Sequence, residues 1–223
     1  MADRWTFGEE PLDQTVELAA VVRDLVSAAL ALEAPDPGLA HLIGHLRVAT
    51  GELEAEVPAG ARPRVGSAVD GDGRVYLDHA YDIGRYNPAF PIYDITVDGD
   101  RATGTAELPV IYEGPPGLAH GGFVAVLFDC VIQHHNCELA LTGETTDLGV
   151  RYRRPTPVAR PLTFEIDRRR DGDRIVSEAR LLHRGEVCAE ATMRAVVRDR
   201  ASLPAVSPRR LSDGDADVTR SRP

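Results

Sequence analysis

The sequence predicts an α+β fold, an antiparallel sheet wrapped around one long helix, and three observations lead there. Apolar residues alternate with polar ones in two stretches before residue 110 and in about four after residue 147. Short turns rich in glycine and aspartate join several of these stretches, so neighbouring strands run antiparallel. Between the two groups lies GFVAVLFDCVIQHHNCELAL, a mostly apolar run ending at residue 141, without proline and without a period of two. It reads as a helix buried on most sides. A sheet with one apolar face would cover it.

The elements follow in chain order. Val16, Val22, Leu25, Val26, Ala29 and Leu32 approximate helical spacing over residues 16–33, and Pro35 and Pro37 close that helix. Leu39, Leu42, Ile43, Leu46, Ala49 and Leu53 predict a second helix over residues 38–57, ended by Pro58 and Gly60. Together the two form an N-terminal helical arm, assigned to residues 1–73. From about residue 74 the period changes to two. Tyr93, Ile95 and Val97, the turn Asp98-Gly99-Asp100, and Ala102, Gly104, Ala106 and Leu108 make a hairpin. After the buried helix come strands carrying Leu148, Val150 and Tyr152, then Leu162, Phe164 and Ile166, then Ile175, Ala179 and Leu181. Val187, Ala189, Ala191, Met193, Ala195 and Val197 mark the last strand. Turns at Asp171-Gly172-Asp173 and Arg184-Gly185 link the final three as a meander. The sheet-and-helix domain is therefore assigned to residues 74–198. Residues 199–223 mix proline, serine, arginine and aspartate without periodicity and are expected to be a disordered tail.

Composition narrows the function. The 223 residues include 25 basic and 35 acidic ones, a net charge of −10, which argues against a general nucleic-acid binder. Every basic residue is arginine, which excludes a Schiff-base or P-loop lysine. Three cysteines, Cys130, Cys137 and Cys188, are too few and too odd in number for a disulfide framework and suggest a reducing compartment. The opening MADRWTFGEE lacks a basic segment followed by an apolar one, and no run has the length of a membrane span. A cytoplasmic protein without a membrane partner is expected.

The chemistry concentrates in Glu113-Gly114-Pro115-Pro116-Gly117-Leu118-Ala119-His120-Gly121-Gly122, which leads straight into the buried helix. Gly121 and Gly122 remove side chains where the free N–H groups of a helix start would face a ligand. Such a start stabilises developing negative charge, as an oxyanion site requires. Glycines there would equally serve a tight loop. Asp129 adds weight, because a carboxylate inside so apolar a helix costs several kcal/mol unless it is paired or used. Satisfaction by Asn136 or by a backbone group is the plain alternative. Asp129 lies seven residues past Gly122, about 10 Å along the axis, too far to act at its own helix start. To act there it must come from a second, antiparallel copy of the helix, which places two sites at a two-fold interface.

The segment from Glu113 to Pro157, EGPPGLAHGGFVAVLFDC and then TTDLGVRYRRPTP, resembles hotdog-fold acyl-CoA thioesterases of the phenylacetate-pathway and human mitochondrial acyl-CoA thioesterase type. The shared features are the His-Gly-Gly triplet, an aspartate nine residues after that histidine, a threonine sixteen residues after the aspartate, and a strand ending in basic-Arg-Pro. The resemblance covers roughly residues 74–198 and implies a hotdog fold that hydrolyses acyl-CoA thioesters without metal or redox cofactor, as a homodimer or dimer of dimers. It further implies that backbone N–H near Gly121 and Gly122 polarises the thioester carbonyl, with His120 shaping the loop. Asp129 of the partner subunit would be general base or nucleophile, and Thr145 would orient water or the carboxylate. Arg153 and Arg154 match a basic pair near where coenzyme A binds, and guanidinium groups suit its phosphates. Residues 147–200 hold 13 arginines against nine acidic residues, whereas the rest of the chain holds 12 against 26, so a local anion site is plausible. A solvated strand face is the other use for these arginines.

One departure stands out. Small residues commonly follow the aspartate in that family, whereas here Gln133, His134, His135 and Asn136 do. Gln133 and Asn136 are candidates for substrate contact, and bulkier polar groups would also narrow an acyl pocket. Cys130, His134 and Cys137 share a helical stripe but span too far for a tetrahedral metal site, and His41 and His45 lack the glutamate of a zinc-protease motif. No serine-hydrolase elbow, Walker loop or dinucleotide fingerprint occurs. Two other readings remain open at this stage: a hydratase or dehydratase on the same fold, enlisting His134 or His135, and a non-catalytic acyl-CoA sensor.

Overall fold

The computed structural model describes residues 12–57, 83–137 and 142–197. The stretches on which the limits of the arm and the tail fall, 58–82 and 198–223, lie outside them, as do residues 138–141 at the end of the anticipated buried helix. Helices α1 (Asp13–Leu30) and α2 (Pro37–Glu56) come first, followed by a single turn, α3 (Ile83–Tyr86), which the period-two reading did not anticipate. Strands β1 (Ile92–Asp98) and β2 (Arg101–Glu107) form the hairpin. A 3₁₀ turn, Val110–Tyr112, precedes the glycine-rich loop and α4 (Gly121–Cys137). Then come β3 (Thr142–Tyr152), β4 (Pro161–Asp171), β5 (Arg174–His183) and β6 (Glu186–Val197).

The six strands make one sheet in the order β1-β2-β4-β5-β6-β3, antiparallel throughout. Tight turns set this order. Gly99, Gly172 and Gly185 take positive φ at the three hairpin turns, where a side chain would be strained. One face of the sheet is apolar. Leu162, Phe164, Ile166, Ala179, Leu181, Ala189, Ala191 and Met193 meet Leu127, Phe128, Val131 and Ile132 of α4, and all are at most 4% exposed. Burying one such large side chain stabilises the fold by about 1.5–3 kcal/mol, so this contact makes the helix a rigid platform.

The two N-terminal helices share an apolar period but not a fate. α1 packs on α3 and the 3₁₀ turn, anchored by the buried Arg23, whose guanidinium donates to the Gly84 carbonyl at 2.5 Å and to Tyr112 Oη at 3.3 Å. Tyr112, fully buried, donates its own hydroxyl to the Phe90 carbonyl at 2.6 Å. On α2, Asp36 caps the start by accepting from Leu39 N–H, yet Ile43, Leu46, Leu53 and Val57 remain exposed. No helix among the described residues is long and apolar enough to cross a membrane.

Candidate active site

The loop before α4 is braced at each step. Glu113 closes it by accepting from Gly117 N–H at 2.6 Å, and Gly114 N–H donates to the Leu118 carbonyl. Ala119 N–H donates to the Thr156 carbonyl and His120 N–H to the Tyr112 carbonyl, at 2.8 and 2.9 Å, which fixes where the helix begins. His120 is then the cap. Its carbonyl accepts from Phe123 and Val124 N–H, and its Nδ1 accepts from Gly122 N–H at 3.0 Å. Gly122, one of two donors that the sequence offered, is thus taken by a side chain of the loop. The N–H of Gly121 donates to no acceptor among the described residues and is the one left to polarise a ligand.

A side chain that the sequence reading placed only in a strand completes this end. Tyr152, the last residue of β3, lays its ring over Gly121 and donates its hydroxyl to the Gly121 carbonyl at 2.7 Å. A β-carbon at Gly121 would lie 3.1 Å from both Cζ and Oη of that ring, which gives the glycine a packing reason besides its open N–H. The signal was the strand period: Tyr152 stands two residues past Val150 and four past Leu148, on the face turned toward α4.

Two turns further along α4, Asp129 is half-buried and joins a short relay. Gln133 Nε2 donates to Thr145 Oγ1 at 2.5 Å, and that hydroxyl donates to Asp129 Oδ1 at 3.3 Å. Thr145 reaches the helix because of a bulge. Thr145 pairs with Ala195 but Asp147 pairs with Arg194, so Thr146 is an extra residue, and one inserted residue turns Thr145 to the face that Leu148 and Val150 share.

Other candidates lie apart from this relay. Asn136, fully buried, accepts from Ser177 Oγ at 3.1 Å, two turns beyond Asp129. His134 Nδ1 lies 3.0 Å from Tyr93 Oη. His135 is also fully buried, with Nε2 3.1 Å from the Gly99 carbonyl, and burial pushes its pKa below the ordinary histidine value. Arg168 locks the same corner by donating to the carbonyls of His135 and Gly99 and to Asp100. Arg153 and Arg154 stand just past Tyr152, each facing a glutamate of β6: Arg153 contacts Glu190 at 2.6 Å and Arg154 contacts Glu186 at 3.7 Å. Cys130 is core packing, its thiol pKa raised by burial.

A crystal structure of a thioesterase superfamily protein is similar to this chain, with a TM-score of 0.66 and 26% sequence identity, over 86% of this chain and 96% of that one. Residues 83–197 are barely half of the 223, so that likeness extends beyond the sheet and α4. A phenylacetic acid degradation-related protein of Ralstonia eutropha JMP134 matches with 18% identity and a TM-score of 0.42, over 48% of this chain and 84% of its own. The PaaI protein from the phenylacetic acid degradation operon of E. coli matches with 18% identity and a TM-score of 0.44, over 47% and 82%. No protein-family model and no curated protein matches the chain. The fold is that of the hotdog thioesterases, as the motif resemblance implied.

Proposed function

We propose that this hotdog protein hydrolyses an acyl-CoA thioester, with each site shared between two copies of the chain. The observation that carries the reading is the division of labour along α4. An open N–H sits at Gly121, and a hydrogen-bonded carboxylate sits at Asp129, eight residues and about 12 Å further along the helix axis. The thioester carbonyl oxygen accepts from Gly121 N–H, which stabilises the negative charge that grows there as the carbon becomes tetrahedral. Asp129 of one copy lies too far from its own Gly121 to act on that carbon. An antiparallel second copy brings the partner's Asp129 to it, and the two-fold axis makes both sites identical.

Water adds across the C–S bond, giving the free acid and coenzyme A. The partner's Asp129 either takes a proton from that water as the C–S bond breaks, or attacks the carbon first, expelling coenzyme A as its thiolate and forming an anhydride that water then opens. Label in the aspartate after a single turnover in ¹⁸O-water identifies the second route, with water opening the anhydride at the Asp129 carbonyl. Thr145 holds the carboxylate by its hydroxyl proton and is itself held by Gln133. Arg153 and Arg154 exchange their glutamates for coenzyme A phosphates, which they engage bidentately.

The test is thiol release from a panel of acyl-CoAs, followed by mixing. Asp129→Asn and Gly121→Leu are each expected to be inactive alone. A mixed dimer then holds one site with both lesions and one with neither, so co-expression restores up to about half of the activity per dimer. Mixed dimers as inactive as their parents, or full activity in a monomer, would place base and oxyanion donor in the same chain and overturn the reading.

A further inference from the structure

The peptide unit joining Gly121 to Gly122 is held by a side chain at each of its polar atoms. Its carbonyl accepts from Tyr152 Oη at 2.7 Å, and its N–H donates to His120 Nδ1 at 3.0 Å. The preceding unit, His120–Gly121, is held through its carbonyl by Phe123 and Val124 N–H, and its own N–H is the open donor. The two planes meet at the α-carbon of Gly121, which has no side chain to limit rotation between them. The ring of Tyr152 supplies that limit from outside, standing 3.1 Å from where a β-carbon would lie. Tyr152 is 53% exposed, yet its hydroxyl donates to this backbone carbonyl.

We infer that Tyr152 is a positioning residue for the oxyanion donor: its ring against Gly121 and its hydroxyl on the Gly121 carbonyl, with His120 on Gly122 N–H, form a clamp that restrains the torsions at Gly121, the residue that carries the open N–H. This role rests on the reading that Gly121 polarises the substrate carbonyl. Donation into the Gly121 carbonyl polarises the whole peptide unit, so it also strengthens the bond from Gly122 N–H to His120. Without the hydroxyl, the Gly121 carbonyl keeps only its bond within α4, and the Gly121–Gly122 plane is held less tightly. The bond from Gly122 N–H to His120 then weakens, and the torsions at Gly121, which no side chain of its own limits, spread the directions that its N–H takes. An error on the order of 1 Å in such a donor is felt in the chemical step more than in ground-state binding.

Tyr152→Phe keeps the ring and removes only the donor. The expected result is a kcat lower by about tenfold with KM within about twofold, and a melting temperature within about 2 °C of wild type. Amide exchange at Gly122, read by NMR without substrate, should speed up by about tenfold or more. A tyrosine that serves packing alone would leave kcat and the Gly122 exchange rate unchanged, and that result overturns the clamp. Faster exchange with unchanged kcat in an active enzyme would overturn the catalytic role alone. Wild-type protein that releases no thiol from any acyl-CoA would overturn the thioesterase reading and this role with it, while the exchange measurement would still report whether the clamp exists.

Discussion

The two ends of α4 treat buried polar groups in opposite ways. At the C-terminal end His135, Asn136 and Arg168 are almost wholly inaccessible and their hydrogen bonds go to the hairpin turn at Gly99 and to Ser177 of β5, with His135 Nδ1 and Asn136 Nδ2 left without a partner among the described residues. At the N-terminal end and in the middle, Gly121 N–H has no acceptor among the described residues, Asp129 is half-buried, and Thr145 and Tyr152 are exposed. Both regions carry histidines and polar side chains, so residue type alone does not separate them. The separation comes from what each group faces. A polar atom closed in by protein depends on partners within it, and breaking such a bond costs stability. A polar group left open at the surface costs the fold little and is available to a substrate.

Mutation should therefore move stability at one end and turnover at the other. The largest effect is expected from Arg168→Ala, which strips the donor from the carbonyls of His135 and Gly99 and should destabilise the fold by about 3 kcal/mol in denaturant titration. A loss below about 1 kcal/mol would erase the contrast. Asp129→Asn should lower kcat by about 10²-fold or more while the unfolding midpoint barely moves. A stability loss like that of Arg168→Ala would reclassify Asp129 as structural. Thr145→Ala removes one bond from the carboxylate and should cost about tenfold in kcat, and a loss as large as that of Asp129→Asn would reverse their ranking.

The smallest and most specific effect concerns pH. His135 is buried with its folded pKa below the ordinary value of 6.5, so the unfolded chain binds a proton more readily than the folded one. Stability that is present above about pH 6.5 is lost as pH falls toward the depressed folded value, by at most about 1.4 kcal/mol per pH unit. Chemical denaturation between pH 7.5 and 5.5 should show this slope in the wild type and a shallower one in His135→Gln. Equal slopes would mean that other groups set the acid sensitivity.

How much of this was legible in the sequence differs from element to element. The hairpin at Asp98-Gly99-Asp100 and the meander of β4 to β6 follow from local alternation and turn chemistry, and both stand where that pattern put them. Helices α1 and α2 were equally legible, yet the pattern was silent about which would dock. That depended on Arg23 finding Gly84 and Tyr112, residues 61 and 89 positions away. The loop from Glu113 to Gly122 stood out by composition, whereas the use of Gly122 N–H by His120 did not, because it depends on the orientation of one ring. The period of β3 would have sent Thr145 to the outer face, and the bulge at Thr146 reversed this.

By itself the sequence determined the order of elements, the apolar faces and the positions of the turns, since these arise from contacts within a few residues of one another. The tertiary structure alone decided which N–H stays open, how Thr145 is turned to face Asp129, and that Tyr152 covers Gly121. Those outcomes depend on register and packing between segments 16 to 31 residues apart or more, where one inserted residue or one ring rotation redirects a donor without changing any local pattern.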